Sequence, residues 1–277
     1  MVNQMSKKPF SIISNGKPTI PMIAHVPHGS TFIPQDVRHS LLLSDAGLKK
    51  ELILMTDSYT PELFAGIAAS GSLAFVNNYS RLVVDPERFE NEEDEVMSSR
   101  GMGAIYTKTA CQQMLRNELS AKEKEEMLST YFRPYHEALR NEVQEMLERF
   151  ERCLIIDCHS FPSKPLPCEL DQSIDRPDIC IGSDPFHTPN GLITLVRSFC
   201  DANGITVAID KPFAGTYVPL MHLGKDKRVS SIMVEVNRSL YMDETTGDRS
   251  SQFSQTKEMI DGLIKEVIGF EAGSNSD

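Results

Sequence analysis

Cys153-Leu154-Ile155-Ile156-Asp157-Cys158-His159-Ser160 is the stretch on which the fold turns. Residues 153–156 are apolar without alternation, as in a strand buried on both faces of a sheet. The polar residues that follow sit where an open α/β sheet delivers its chemistry, at the carboxyl end of a strand. Similar runs recur on both sides. Residues 19–26 are strand-like and end in Pro27-His28-Gly29-Ser30, and 72–77 and 81–85 follow, the latter with the β-branched pair Val83-Val84. Downstream, 178–181, 205–209 and 231–236 read the same way. Helical patterns lie between them. Residues 46–70 are helical with a break near Asp57, and Thr60 followed by Pro61 reads as an N-cap with proline at N1. Residues 112–151 are helix-rich, with a Ser120/Glu123 capping box and Pro134 opening an amphipathic stretch. Further helices are expected near 190–202 and 251–270. This alternation predicts an α/β fold, a central mixed or mainly parallel sheet flanked by helices. The strand order stays open. Residues 86–110, polar and glycine-containing, are too long for a connector and are a candidate active-site loop.

The chain has 277 residues, 40% hydrophobic and 24% charged, which suits one globular domain over 1–277 with 1–15 and 271–277 as frayed tails. A net charge of -11 argues against nucleic acid as a partner, since phosphate binding needs clustered Lys and Arg. The N-terminal MVNQMSKKPF has no apolar region behind its lysines, and no run approaches the length of a membrane span. A cytoplasmic protein without a membrane partner is expected. The six cysteines form no CxxC pair and read as reduced, mostly buried thiols.

His28 and His159 both follow strand-like runs and adjoin small polar residues. Imidazoles and carboxylates at strand ends, far apart in sequence, are the usual supply for a catalytic zinc with an open position. The bland alternative is a hydrogen-bonded loop or core histidine. His25 lies three residues before His28, and extended backbone would point the two to opposite faces, so His25 reads as structural. Alternation also separates Cys158 from His159, leaving Cys158 a buried small hydrophobe and not a nucleophile. Asp157 is either a group that orients a ligand or a turn former. Glu235 sits among Ile232, Met233, Val234 and Val236. A carboxylate there must be paired, metal-bound or neutral, and desolvation would raise its pKa toward that of a general base. The alternative is a salt bridge to Arg238. Arg81, Arg88, Arg100 and Arg133 are candidates for gripping a substrate carboxylate.

Taken together, PHGSTFIP, TDSYTPELF, SRLVVDPERF, RGMGAIYT, RPYHEAL, IIDCHSFPSKPLP, PDICIG, FAGTYVPL and VEVNRSLYMD resemble the N-formylglutamate amidohydrolase family over about residues 20–245. That family in turn is similar to the zinc carboxypeptidases and the N-acyl amino acid deacylases of the same fold. The resemblance implies a zinc hydrolase of histidine and glutamate metabolism that splits N-formyl-L-glutamate, a small anionic N-acyl amino acid, into formate and glutamate. It places His28 and His159 as ligands of one Zn2+ and Glu235 as general base. Two departures stand out. Thr31 occupies the position of a metal-binding glutamate, so the third ligand must come from elsewhere, and Asp57 at its helix break is the choice. Glu87 replaces the asparagine of an Asn-Arg carboxylate grip, where an acid would repel an anionic substrate. Arg81 is then expected to polarise the carbonyl, and Arg88, Arg100, Asn237 and Arg238 to bind substrate. The rivals are a carboxypeptidase-like enzyme acting on peptides, cell-wall peptides included, and a non-catalytic small-molecule binder of the same fold.

Overall fold

In the computed structural model, which describes residues 8–273, the buried run at 153 opens one of the two longest strands. In chain order the elements are β1 (Phe10–Ser14), β2 (Met22–Val26), α1 (Gln35–Arg38), α2 (Asp45–Met55), α3 (Thr60–Leu63), α4 (Ala65–Ala69) and β3 (Leu73–Asn77). Then come α5 (Ala121–Met127), α6 (Arg133–Phe150), β4 (Cys153–Phe161), β5 (Ile179–Gly182), α7 (Asn190–Ala202), β6 (Val207–Ile209), β7 (Val229–Asn237) and α8 (Phe253–Gly273). They build one seven-stranded mixed sheet, ordered β1-β3-β2-β4-β7-β5-β6. The inner strands β3, β2, β4 and β7 run parallel, while β1 on β3 and β5 on β7 are antiparallel.

Strand alternation divides β4 and β7 between two layers. Ile156, Cys158, Ile232 and Val234 face a core shared with α3, α4, α7 and α8 through Leu63, Ile67, Val196 and Leu263. Cys153 and Ile155 face the other way, under Tyr135, Leu139, Val143 and Met146 of α6. Those helix positions recur every three to four residues, so one stripe of α6 is buried. Each such side chain contributes roughly 1.5–3 kcal/mol by leaving water. The apolar cover on this second face ends at Ile155. Beyond it the same face presents Asp157 and His159, with Glu235 beside His159 in register on β7. The site therefore lies at the carboxyl ends of the central parallel strands.

Several boundaries depart from the sequence reading. Phe10–Ser14, expected within a frayed tail, forms edge strand β1, held by Phe10 stacked on Phe75 and a full antiparallel ladder to β3. The rest of that tail at 1–7, and 274–277, lie outside the described residues. The tail expected from 271 is helical to Gly273. Residues 81–85 are not a strand. Leu82 packs into one small core and Val83 and Val84 into another, while the backbone turns on Ser80 and reaches Ala104. Thr60 is the first helical residue and not the cap; Tyr59 precedes it in the left-handed region at φ 68°. The capping box at Ser120/Glu123 is present.

Candidate active site

Five chain segments converge beyond the end of α6's cover. β2 stops at Val26, and the Pro27 carbonyl accepts from Asn77 Nδ2 at 2.9 Å, turning His28 inward. Gly29 lies so close to Pro61 that a Cβ there would come within 2.7 Å of the ring. That close approach lets the Asp57 amide donate to the His28 carbonyl at 3.0 Å, tying the α2–α3 break to the β2 turn. The buried turn at 81–88 supplies Asp85 and Glu87, and β4 with β7 supplies Asp157, His159 and Glu235.

The two imidazoles, 5.1 Å apart between ring centres, are held in the same way. His28 Nε2 lies 2.8 Å from Asp85 Oδ1, and His159 Nε2 lies 3.0 Å from Asp157 Oδ1. Their Nδ1 atoms both face Asp57 Oδ2, at 3.7 Å from His28 and 3.0 Å from His159. The other Asp57 oxygen accepts from Arg238 Nη2 at 2.9 Å. Asp157 is itself fixed: it accepts from His25 Nδ1 at 2.8 Å and from the Tyr217 amide at 2.9 Å, and the Tyr135 hydroxyl donates to His25 Nε2 at 2.7 Å. Asp85 is clamped by Arg81, by the Tyr106 hydroxyl and, more distantly, by Arg88.

Burial alone would protonate these acids. For Asp57 it is outweighed by the hydrogen bond from His159, by His28 at 3.7 Å and by Arg238, and the carboxyl stays well below its ordinary range. The same contest holds Asp85 low through His28 and Arg81, and Asp157 through His159 and His25. Burial also opposes charge on His159, but Glu87 and Asp157 push its pKa well above that of a free imidazole. Glu235 differs. Desolvation dominates, only partly offset by His159, and lifts its carboxyl to about 8. Its Oε2 is buried without a hydrogen-bond partner, because Arg238 turns away to Asp57, Ser160 and the Leu54 carbonyl.

A divalent metal fits this arrangement. His28 Nδ1 is a buried nitrogen with no hydrogen-bond partner, aimed at Asp57 and Glu87. Both imidazoles have Nε2 held by a carboxylate, the usual way a protein fixes the tautomer and orientation of a metal-binding histidine. Glu87 is a further donor, 3.6 Å from His28 Nδ1 and 3.1 Å from His159 Nε2. The donor atoms of His28, Glu87 and His159 all lie within 4.8 Å of one another, and so do those of His25, Glu87 and Asp157.

Glu87 and Asp157 of this cluster also line a cavity of about 750 Å³. Its lining includes Arg88, Arg133, Arg140 and His136, the acids Glu90, Glu95 and Glu137, and the segment 214–221.

The structure thus brings His28, Asp57, His159 and Glu235 together and redistributes the arginines. Arg238, expected to bind substrate, is buried and spent on Asp57, Ser160 and Leu54. Arg81, expected to polarise a carbonyl, instead holds Asp85 at 2.8 Å and Tyr106 at 2.9 Å. Asn237 caps the turn after β7, accepting from Ser239 while donating to Pro177. Arg100 donates to the Glu169 carbonyl, away from the cavity lining. Arg88 does line the cavity. Glu87, read as an intruder in a carboxylate grip, is the residue the sequence reading missed. Its signal was its place in the 86–110 loop, two residues beyond Asp85. His25 also comes closer than alternation implied, at 3.6 Å from Glu87, because the extended backbone ends at Val26. Cys158 faces the core, and burial pushes its thiol well above its ordinary value.

Comparison with known proteins places the chain among its relatives. A profile of the N-formylglutamate amidohydrolase family matches residues 20–242. The N-formylglutamate deformylase of Pseudomonas putida is 24% identical over 245 residues, 84% of this chain and 86% of that protein. That of Pseudomonas aeruginosa is 23% identical over 269 residues, 94% and 97% of the two chains. The crystal structure of N-formylglutamate amidohydrolase from Ralstonia eutropha JMP134 superposes with a TM-score of 0.81 at 22% identity, covering 97% of this chain and 100% of that one, and so shares the fold.

Proposed function

The chain belongs to the N-formylglutamate amidohydrolase family, and from that premise we propose that it hydrolyses N-formyl-L-glutamate to formate and glutamate, with one zinc ion held by His28, Asp57 and His159. The observation that carries the reading is the convergence of two Nδ1 atoms on Asp57 Oδ2, one of them buried and otherwise unpartnered. A bound zinc ion supplies Lewis acidity, polarising the amide carbonyl and lowering the pKa of water. The remaining work falls to the protein. Glu235 takes the proton of the attacking water and returns it to the departing amide nitrogen, a two-way transfer suited to a carboxyl poised near neutrality. Asp85 and Asp157 keep the imidazoles oriented, and Arg238 keeps Asp57 in place.

Charge balance supports a dication. Asp57, Asp85, Glu87, Asp157 and Glu235 face Arg81, Arg88 and Arg238, leaving two net negative charges when all are ionised. In the metal-free chain the balance is met by protons on His159 and Glu235. A divalent ion would release both, freeing His159 Nδ1 as a ligand and Glu235 as a base.

Arg88 and Arg140 on the cavity wall are the cations proposed to hold the substrate carboxylates; Arg133 is already paired with Glu90 and Glu125. Among the described residues no helix is long and apolar enough to cross a membrane. All six cysteines are free thiols, which fits the reducing cytoplasm proposed as its setting. The test is formate release from N-formyl-L-glutamate by the zinc-loaded protein. Turnover that is lost in His159→Ala is expected. No release from the loaded wild type would refute the reading.

A further inference from the structure

Among the described residues, Arg116 is the largest side chain that is fully buried. Its guanidinium lies there without an acid to pair with. Burial alone acts on it, with no neighbouring charge to offset the loss of water, and lowers its pKa to about 10. Nη2 donates to the Leu82 carbonyl, Nη1 lies 3.5 Å from the Met127 sulfur, and Nε has no hydrogen-bond partner. Burying a charge unpaired is costly, and folded proteins ordinarily supply a counter-ion. A local rule broken without a compensating contact commonly marks a functional site.

What the guanidinium holds is the turn that carries Asp85 and Glu87. The Leu82 amide donates to Ser80 Oγ at 3.2 Å and the Asp85 amide to the Ala104 carbonyl at 2.8 Å, while the Leu82 carbonyl is satisfied by Arg116. Leu82 and Met127 belong to two different small cores, so the guanidinium pins the turn between them. Asp85 Oδ1 then accepts from the Glu87 amide at 2.9 Å and lies 2.8 Å from His28 Nε2. One oxygen thus sets both the Glu87 backbone and the His28 ring, and any shift of the turn reaches both.

We propose that Arg116 is a positioning residue for the hydrolytic site, holding the 81–88 turn by the Leu82 carbonyl so that Asp85 and Glu87 meet His28 in register. The inference rests on the hydrolytic reading above and adds to it a residue that acts only through the turn. The planar fork of a guanidinium gives its donated bond a fixed direction. Lysine in the same place would shed its proton for want of an acid and still donate as a neutral amine. Methionine would fill the space and donate nothing.

The experiment compares Arg116→Met and Arg116→Lys with wild type in zinc affinity, by competition with a chelating dye, in kcat and KM of the zinc-loaded protein for N-formyl-L-glutamate, and in Tm. Arg116→Met should bind zinc about 10-fold more weakly, the lower end of losses seen when support behind a metal ligand is removed. Its kcat should fall by a similar factor, about 10-fold, because the turn also orients the site for the reaction. Arg116→Lys should restore zinc affinity to within about threefold of wild type. Wild-type zinc affinity and kcat in Arg116→Met, whatever its Tm, would overturn the inference, since the buried charge would then serve the fold alone. A folded Arg116→Lys that binds zinc as weakly as the methionine variant would overturn it as well, because the donated hydrogen bond would not be the cause. Should Arg116→Met fail to fold, Arg116→Lys decides by the same threefold limit. No hydrolysis by the wild type would refute the hydrolytic reading, while the zinc affinities still test the placement of the turn.

Discussion

Replacing Glu235 with glutamine probes the carboxyl on which the chemistry depends, first through stability and then through rate. In the metal-free protein Glu235 titrates near 8 against an ordinary 4.5. Below pH 4.5 the folded and unfolded chains both hold the proton, and the group is neutral toward folding. Between 4.5 and 8 the unfolded chain loses the proton while the folded chain keeps it, so stability falls as pH rises. Above 8 the full penalty applies, on the order of 4–5 kcal/mol at about 1.4 kcal/mol per pH unit. Glutamine cannot ionise and escapes it. Relative to wild type, metal-free Glu235→Gln should gain about 3 kcal/mol more at pH 8.5 than at pH 5.5. That corresponds to a difference in Tm shift on the order of 5–10 °C for a chain of this size. Calorimetric melting of both proteins at the two pH values measures it. With zinc restored, the variant should keep its metal and lose roughly 10²–10⁴ in kcat. A variant destabilised equally at both pH values would mean that Glu235 is ionised and paired. A fully active, metal-replete variant would remove it as the base.

Three further outcomes separate the neighbouring roles. Asp57→Asn should weaken zinc binding by at least about 100-fold and lower stability by about 3–5 kcal/mol, because Arg238 is left buried and unpaired; Glu87→Gln should weaken zinc by no more than about 10-fold, both read by competition with a chelating dye. The reverse order would make Glu87 the ligand. Arg88→Ala should raise KM for an acidic N-acyl amino acid about 30-fold, near 2 kcal/mol for a lost charged hydrogen bond, with Tm little changed; an unchanged KM would pass the role to Arg140. Zinc binding near pH 7 should release close to two protons, measured by calorimetry in buffers of different ionisation enthalpy; no release would contradict the protonated states of His159 and Glu235.

How far the sequence could be read follows from the range of the forces involved. The unbroken apolar run before Asp157 reveals a doubly buried strand because burial acts residue by residue. Glu235 stands out for the same reason, as a carboxylate in a strand that is otherwise apolar. The break at Asp57 is visible in local turn chemistry. Pairing is not local. Arg238 and Arg81 look like substrate grips in sequence, and only the fold shows that Asp57 and Asp85 consume them. Val83 and Val84 mimic a strand because two satellite cores bury both sides of a turn. His25 and His28 were set apart by an alternation that ends with β2 at Val26, and the strand order depends on contacts between segments far apart in the chain.

Elemental analysis of the purified protein alongside N-formyl-L-glutamate hydrolysis, before and after chelation, tests the central claim most directly. About one divalent metal per chain is expected, with activity lost to the chelator and restored by Zn2+. Full activity in protein shown to be metal-free would contradict the account.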